Sequence, residues 1–244
     1  MNEIESVSRA PATPTSSPRP GLPRAADIAI AAVGLLLASP LLLVAAIAIK
    51  LSSRGPVIYR QQRVGRGGEM FELWKLRTMR PGADPVGVGT AVVHGDPRVT
   101  GVGRVLRRFS LDELPNLVNV LRGEMAIVGP RATLPAQVAL YTPRQRRRLE
   151  LRPGVTGWAQ IHGGVAIPWE ERIELDVWYA DNRSLGLDLR ILARTPLVML
   201  TGRGRAAPDP YSGSAPDSPL RRAAEREAAG EAAPSAERES GGEH

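Results

Sequence analysis

The segment from Ile28 to Ile49, IAIAAVGLLLASPLLLVAAIAI, is the strongest constraint on this chain: 22 residues without a single charge. As one straight helix it would be about 33 Å long, enough to cross a bilayer. Two features point away from a plain crossing. Ser39-Pro40 lies at its centre, where a proline lacks the backbone donor and clashes with the carbonyl four residues earlier, so a kink or break is expected. Basic residues flank both ends, Arg24 before it and Lys50, Arg54 and Arg60 after it. Cytoplasmic placement of positive flanks pulls both ends to one side. A helix–break–helix that enters the membrane and returns satisfies both. A proline-kinked transmembrane helix meets the same length requirement. A cleaved signal peptide, with Ala46-Ile47-Ala48 as its processing site, fits less well, because the apolar run exceeds the usual ~7–15 residues.

Composition narrows the chemistry. The 244-residue chain has no cysteine, which excludes a disulfide scaffold, a thiolate-ligated metal and a thiol nucleophile. Its three histidines, His94, His162 and His244, make a multi-histidine metal centre a poor fit. Carboxylates, hydroxyls and arginines are left to act. Residues 1–26 carry two acids and three arginines and residues 203–244 carry eight acids and six arginines; with Asp27 set aside, the stretch 28–202 holds +9 of a net charge of +7. A body of that sign suits phosphates, nucleic acid or an anionic membrane surface.

Residues 1–23, rich in Pro, Ser, Thr and Ala without apolar periodicity, read as a disordered lead, and residues 203–244, rich in Ala, Glu, Arg, Pro, Gly and Ser, read as a polar, disordered tail. Between them, Val57–Tyr59 and Phe71–Trp74 around Gly65–Gly68 predict a β-hairpin. Residues 81–103 read as loop. Leu111, Leu114, Leu117, Val118 and Leu121 predict a helix ending at Gly123, with further helices over 135–151 and 168–182. An amphipathic stretch over 187–201, interrupted by Pro196, fits a membrane interface or a core-facing surface equally. The RQRRR run from Arg144 to Arg148 reads first as a solvated helix face and second as a contact for lipid headgroups or RNA. Trp158, Trp169, Trp178 and Tyr179 suit interface anchors or core positions, and the lone His162 reads as structural or as a minor binding contact.

The chemistry concentrates at SLDELP, Ser110 to Pro115. Ser110 and Glu113 fit a capping box, which would make the motif merely a well-capped helix start. Its surroundings favour more: Arg98, Arg104, Arg107 and Arg108 precede it, and Arg122 and Gly129-Pro130-Arg131 follow. Adjacent carboxylates Asp112 and Glu113 can hold a divalent cation, arginines can grip a diphosphate in two-pronged fashion, and an aspartate can attack phosphorus. The glycine-rich GVGR and VGRGG segments lack nucleotide-loop spacing and read as turns.

Six blocks in order resemble the bacterial sugar transferases, monotopic phosphoglycosyl transferases acting on polyprenyl phosphate. They are the Arg24/Asp27 entry to the apolar segment with Ser39-Pro40, GPVIYRQQRVG (55–65), FELWKLRTM (71–79), DPRVTGVGRVLRRFSLDELPNLVNVLRGEMAIVGPR (96–131), LRPGVTGWAQIHG (151–163) and ELDVWYADN (174–182). The resemblance covers about Arg24 to Met199. Ala132 stands where the family commonly continues GPRP, and Asn116 and Glu124 replace residues often seen as Gln and Asp.

What the resemblance implies is an α+β, mainly helical monotopic membrane protein of the short form. It would have a re-entrant helix over 24–50, a small cytoplasmic catalytic domain over 51–202 containing the β-hairpin, and tails at 1–23 and 203–244. Similar enzymes use Mg²⁺ and move a sugar-1-phosphate from a UDP-sugar to undecaprenyl phosphate at the bacterial plasma membrane, releasing UMP. Carried over by position, Asp112 is the nucleophile, and Glu113 helps hold Mg²⁺ and assists deprotonation of the lipid phosphate. Arg131 binds phosphate, Lys75, Arg77, Arg98 and Arg108 are further anion-binding candidates, and Arg152 and Asp176 lie in matching blocks. Expected partners are the nucleotide sugar, polyprenyl phosphate and membrane lipids, not nucleic acid. The opposing reading is a non-catalytic, membrane-tethered scaffold whose basic body binds anionic lipid or nucleic acid; the Asp112–Glu113 pair inside the motif-rich stretch argues against it.

Overall fold

The computed structural model describes residues 20–83, 96–164 and 167–201. The expected tails lie outside these residues apart from positions 20–23, as does most of the loop expected over 81–103.

Helix α1, Arg24–Ser52, contains the whole apolar segment. The chain remains helical through Pro40, where sequence reasoning expects a break. The local reason is visible. Proline cannot donate to the carbonyl of Leu36, and the Ser39 hydroxyl donates to that carbonyl instead, at 2.7 Å. Both ends of α1 are packed against the rest of the chain. Near the start, Asp27 and Ala31 are buried, and Arg24 donates to the carbonyls of Val120 and Met125. Near the end, Ala45 and Ile49 pack with Leu76 and Leu106. Between them Leu36 and Leu37 are 72% and 73% exposed, an apolar surface with no protein cover.

Strands β1 (Ile58–Val64) and β2 (Met70–Leu76) form the expected antiparallel hairpin, turning at Arg66–Gly68, where Gly67 takes φ 68°. Directly opposed residues share a face, so the pairing Tyr59↔Lys75 and Arg63↔Phe71 puts Tyr59, Gln61 and Arg63 on the face of Lys75. Helix α2 (Gly101–Arg108) begins inside the stretch expected to be loop. Its start is capped by the Thr100 hydroxyl accepting from Gly103 N–H at 2.9 Å. Gly103 is required there, since a Cβ would sit 2.0 Å from the Thr78 carbonyl oxygen.

A single 3-10 turn, Leu111–Glu113, leads through Pro115 into α3 (Asn116–Arg122), which ends on Gly123 at φ 89°. Buried Asn119 ties α3 to β2: its amide donates to the Glu72 carbonyl at 2.7 Å and its oxygen accepts from Trp74 N–H at 3.0 Å. Strand β3 (Ala126–Val128) pairs in parallel with β4 (Gly154–Thr156). The helix expected over 135–151 is instead α4 (Pro135–Ala139) and a 3-10 segment, Gln145–Glu150. Pro143 lies between them, where a proline would deprive a continuous helix of its backbone bond. Helices α5 (Trp158–Ile161), α6 (Trp169–Asn182) and α7 (Leu185–Thr201) follow, the last with Pro196 inside.

The main core joins Ala31 of α1 to Leu73, Val120, Ile127, Tyr179 and Ile191. A second cluster gathers Val64, Val138, Tyr141, Trp169, Ile173 and Val177. Trp169 and Tyr179 are thus core residues. Trp178 is half exposed and stacks on Trp158 at 4.8 Å between ring centroids, while His162 binds the Trp158 carbonyl through Nδ1 at 2.9 Å, a structural contact. The RQRRR run is not a uniform solvated face. Arg144 is exposed and pairs with Glu174 and Arg147 pairs with Asp181, but Arg148 is buried.

Candidate active site

Three segments meet at one point: the end of β2, the 3-10 turn after α2, and the loop after β3. From them come Lys75, the Asp112–Glu113 pair and Arg131. Ser110, just before the turn, takes a left-handed backbone (φ 54°, ψ 24°), the one non-glycine residue with positive φ among those described. Its side chain does not cap, and the Glu113 carboxylate is engaged elsewhere, so the capping-box reading does not hold. Strain of this kind persists where neighbouring structure over-determines it, and it is concentrated at functional sites.

Glu113 is fixed by two cations. Its Oε1 accepts from Lys75 Nζ at 2.9 Å and from Arg131 Nη2 at 2.6 Å, and Arg131 Nη1 approaches Oε2 at 3.5 Å. Burial works to raise the Glu113 pKa, but Arg131 and Lys75 outweigh it and hold the carboxyl far below the ordinary range. Arg131 is held charged by Glu113 in return. Lys75 is pushed down by burial, with Glu113 opposing.

Asp112 is treated in the opposite way. Burial raises its pKa, the neighbouring Glu113 charge raises it further, and Lys75, Arg107 and Arg131 only partly compensate. Its carboxylate has no hydrogen-bond or ion-pair partner among the described residues. A carboxylate left without donors beside several cations retains its lone pairs, which a nucleophile or a metal ligand requires.

The other arginines expected to bind anions are placed differently. Arg77 is buried at the far end of α1, donating from Nη2 to the carbonyl and hydroxyl of Ser53 at 2.8 and 3.0 Å. Arg98 pairs with Asp96 at 2.7 Å. Arg108 is exposed, with its guanidinium 5.8 Å from the Phe109 ring centroid. Two arginines outside that set belong to the neighbourhood. Arg107 bonds the Thr78 hydroxyl at 2.8 Å and acts on the Asp112 charge. Arg63, missed in the sequence, is pulled down to about 10 by burial and by Arg131, with Glu113 opposing. It bonds the Ala132 carbonyl and Gln61, and its buried Nε has no partner. The hairpin register carries the signal for it, since Arg63 lies two and four residues along the strand from Gln61 and Tyr59, opposite Lys75's face-mates.

As for a divalent cation, the described residues hold no cluster of three or more His, Cys, Asp or Glu side chains. Magnesium takes one or two carboxylates and completes its shell with substrate phosphates and water, so the two carboxylates of the turn are the groups that would hold it. Asp112, without donors, fits such a role; Glu113, bonded to Lys75 and Arg131, is the less available ligand.

Comparison with known proteins matches residues 19–202 to the family described as bacterial sugar transferase. A sugar transferase of Bacillus subtilis, EpsL, is 43% identical over 75% of this chain and 89% of its own length. The UDP-glucose:undecaprenyl-phosphate glucose-1-phosphate transferase of Caulobacter vibrioides is 44% identical over 80% of this chain and 79% of its own. A UDP-N-acetylgalactosamine-undecaprenyl-phosphate N-acetylgalactosaminephosphotransferase of Aeromonas hydrophila is 41% identical over 74% of this chain and 44% of its own length. With the matched region carrying α1, the hairpin, the Asp112–Glu113 turn and the Arg131 loop together, this chain belongs to the bacterial sugar transferase family.

Proposed function

We propose that this protein is a phosphoglycosyl transferase that moves a sugar-1-phosphate from a UDP-sugar to undecaprenyl phosphate, releasing UMP and starting a lipid-linked glycan. The observation that carries the reading is the division of labour in one turn: Glu113 bonded to Lys75 and Arg131, and Asp112 beside it without a donor. Asp112 attacks the β-phosphorus, and the bond from that phosphorus to the oxygen bridging to the α-phosphate breaks, so UMP departs and a phosphosugar ester remains on the carboxylate. An oxygen of the lipid phosphate then attacks the same phosphorus, the ester bond breaks, and Asp112 returns as a carboxylate. Two displacements at one side chain let the water-soluble and lipid substrates bind in turn.

Arg131, whose two terminal guanidinium nitrogens reach Glu113, would meet diphosphate oxygens as charge builds on the leaving group. Glu113, held ionised, orients these cations better than it accepts a proton. Mg²⁺ would be held by Asp112, with Glu113 adjacent, and supplies charge neutralisation on the diphosphate when bound. The relatives named above differ in donor sugar, glucose in one and N-acetylgalactosamine in another, so the donor is left to assay.

The same proposal places the body on the cytoplasmic face of the plasma membrane with α1 re-entrant. Its support is that both ends of α1 are packed on one basic body while the residues near Pro40 are exposed and apolar. With no native cysteine, Pro20→Cys and Arg54→Cys should both label from the cytoplasmic side; labelling from opposite sides would restore a straight crossing. For the reaction, purified protein with Mg²⁺, undecaprenyl phosphate and a panel of UDP-sugars should release UMP with at least one donor. Asp112→Asn should not, and a quenched reaction should carry a phosphosugar on the peptide containing SLDELP. Full activity of Asp112→Asn would remove the assignment.

A further inference from the structure

Arg131 presents a difficulty that its own contacts do not solve. Its side chain is 43% exposed, on the loop leaving β3, and its guanidinium is held only at its tip, by Glu113. Directing a guanidinium at a reacting phosphate requires the main chain beneath it to be fixed.

Beneath that loop lies an ion pair with side chains only 4% and 3% exposed, Arg148 of the 3-10 segment and Asp176 of α6. Arg148 Nη2 donates both to Asp176 and to the main-chain carbonyl of Arg131, the latter at 2.9 Å. Arg148 Nη1 donates to the Tyr141 hydroxyl and to Thr133 Oγ1, two residues beyond Arg131. Asp176 thus reaches the Arg131 loop through Arg148, whose guanidinium it holds. One buried guanidinium therefore holds the main-chain carbonyl of Arg131 and the side chain of Thr133, on either side of Ala132.

Stability alone does not account for the arrangement. Replacing a buried ion pair with well-packed apolar side chains is often neutral or stabilising, whereas keeping the pair requires both charges to stay desolvated. Here Arg148 Nε is also buried without a partner among the described residues, so the network is not optimised for its own energy. Burial works against the charge of Arg148, yet Tyr141 and Asp176 together hold it charged. Neither Arg148 nor Asp176 is among the groups that bond Asp112 or Glu113.

We propose that Arg148 and Asp176 are positioning residues: Arg148, held by Asp176, clamps the Arg131 main chain at its carbonyl and so sets where its guanidinium meets Glu113 and the substrate diphosphate. The inference rests on the phosphoglycosyl-transfer reading given above.

The test uses the full-length protein in detergent or nanodiscs and reads two quantities. The first is UMP release. Asp176→Asn should lower kcat by roughly 30–100-fold, the scale of a displacement of about 1 Å at a reacting group, with KM for undecaprenyl phosphate unchanged. In an Arg131→Ala background the same substitution should change kcat by less than about 3-fold, because there is no guanidinium left to place. Equal losses in both backgrounds would overturn the proposal. The second is amide hydrogen exchange over residues 129–134, which should accelerate about 10-fold or more in Asp176→Asn while α6 keeps its protection; an unchanged rate would overturn it, whatever the activity.

If Asp176→Asn does not fold, Tyr141→Phe takes its place. It removes one acceptor of Arg148 and keeps the ring against Trp169, 5.7 Å away between centroids. It should lower kcat several-fold with the same dependence on Arg131, and full additivity would count against the clamp. A wild-type protein that releases no UMP from any donor would remove the activity reading, and the exchange measurement would still decide the clamp.

Discussion

Asp112 and Glu113 are adjacent in one 3-10 turn, yet their surroundings drive their ionisation in opposite directions: Glu113 is held charged by Arg131 and Lys75, while burial and Glu113 itself oppose the charge on Asp112. One turn of chain thus holds two carboxylates with opposite ionisation tendencies, the pattern that the proposed division of roles requires.

The asymmetry predicts opposite effects on stability. The folded pKa of Asp112 lies above its ordinary 3.8, so its contribution is present below that value and is lost as pH rises through the folded pKa; at pH 7 the ionised side chain costs stability. The folded pKa of Glu113 lies below its ordinary 4.5, so its contribution is present above that value and is lost as pH falls. Without Mg²⁺ at pH 7, Asp112→Asn should melt a few degrees above wild type, since at this size 1 kcal/mol is about 2–4 °C. Glu113→Gln should lose about 1–3 kcal/mol by leaving Lys75 and Arg131 without their anion. The gain from Asp112→Asn should disappear in acid, once wild-type Asp112 is itself neutral. Thermal melts from pH 4 to pH 8 in EDTA check both, and a less stable Asp112→Asn at pH 7 would contradict the electrostatics.

Arg131→Lys separates charge from shape. Lysine keeps a cation beside Glu113 but loses the fork that reaches both carboxylate oxygens. UMP release should fall about 10–100-fold in kcat/KM for the UDP-sugar, with little change in melting temperature. Steady-state kinetics with the preferred donor decide it; wild-type kinetics in Arg131→Lys would reduce the residue to a charge.

Much of this arrangement was legible in the sequence because it is local. The hairpin follows from alternation around Gly65–Gly68, and α6 follows from Trp169, Ile173, Val177 and Ala180 recurring at helical spacing. The Asp112–Glu113 pair is a contiguous motif, so its position was visible while its conformation was not. Ser110 and Glu113 satisfy the letters of a capping box, but Lys75 and Arg131 compete for the same carboxylate, and those partners lie 38 and 18 residues away. Arg148 was hidden for a similar reason. A run of arginines looks solvated in one dimension, and only Asp176 and Tyr141, brought over it by α6 and by the turn after α4, make its burial possible. Helix α2 escaped notice because Gly101 and Gly103 resemble loop residues, although Gly103 is there for the close approach of Thr78.

Close backbone approach also underlies the loop that carries Arg131. Gly129 N–H donates to the Thr156 carbonyl at 2.9 Å, and a Cβ on Gly129 would lie 2.3 Å from the Arg152 carbonyl oxygen and 2.9 Å from Gly154 N. These neighbours are backbone and cannot rotate away. Gly129→Ala should cost about 2–3 kcal/mol, lowering the melting temperature by about 5–10 °C, and should reduce UMP release even below the transition. A melting temperature within about 1 °C of wild type would show that β3 and β4 can separate without cost.

The junction of the membrane helix with the catalytic body makes the last prediction. Asp27 Oδ1 accepts the N–H of Ile127 at 2.9 Å, and both groups are buried. Ile127 is the central residue of β3, the strand that leads into Gly129-Pro130-Arg131. The apolar helix is therefore pinned to the same strand that leads to Arg131, the arginine proposed to bind phosphate. Asp27→Leu would leave that N–H buried without an acceptor, at a cost of about 1–3 kcal/mol, while the apolar run 28–49 stays intact. The variant should still fractionate with membranes but melt lower than wild type and release UMP more slowly. Loss from the membrane fraction would mean that Asp27 governs insertion, and an unchanged melting temperature with unchanged turnover would mean that α1 and the catalytic body do not depend on this contact.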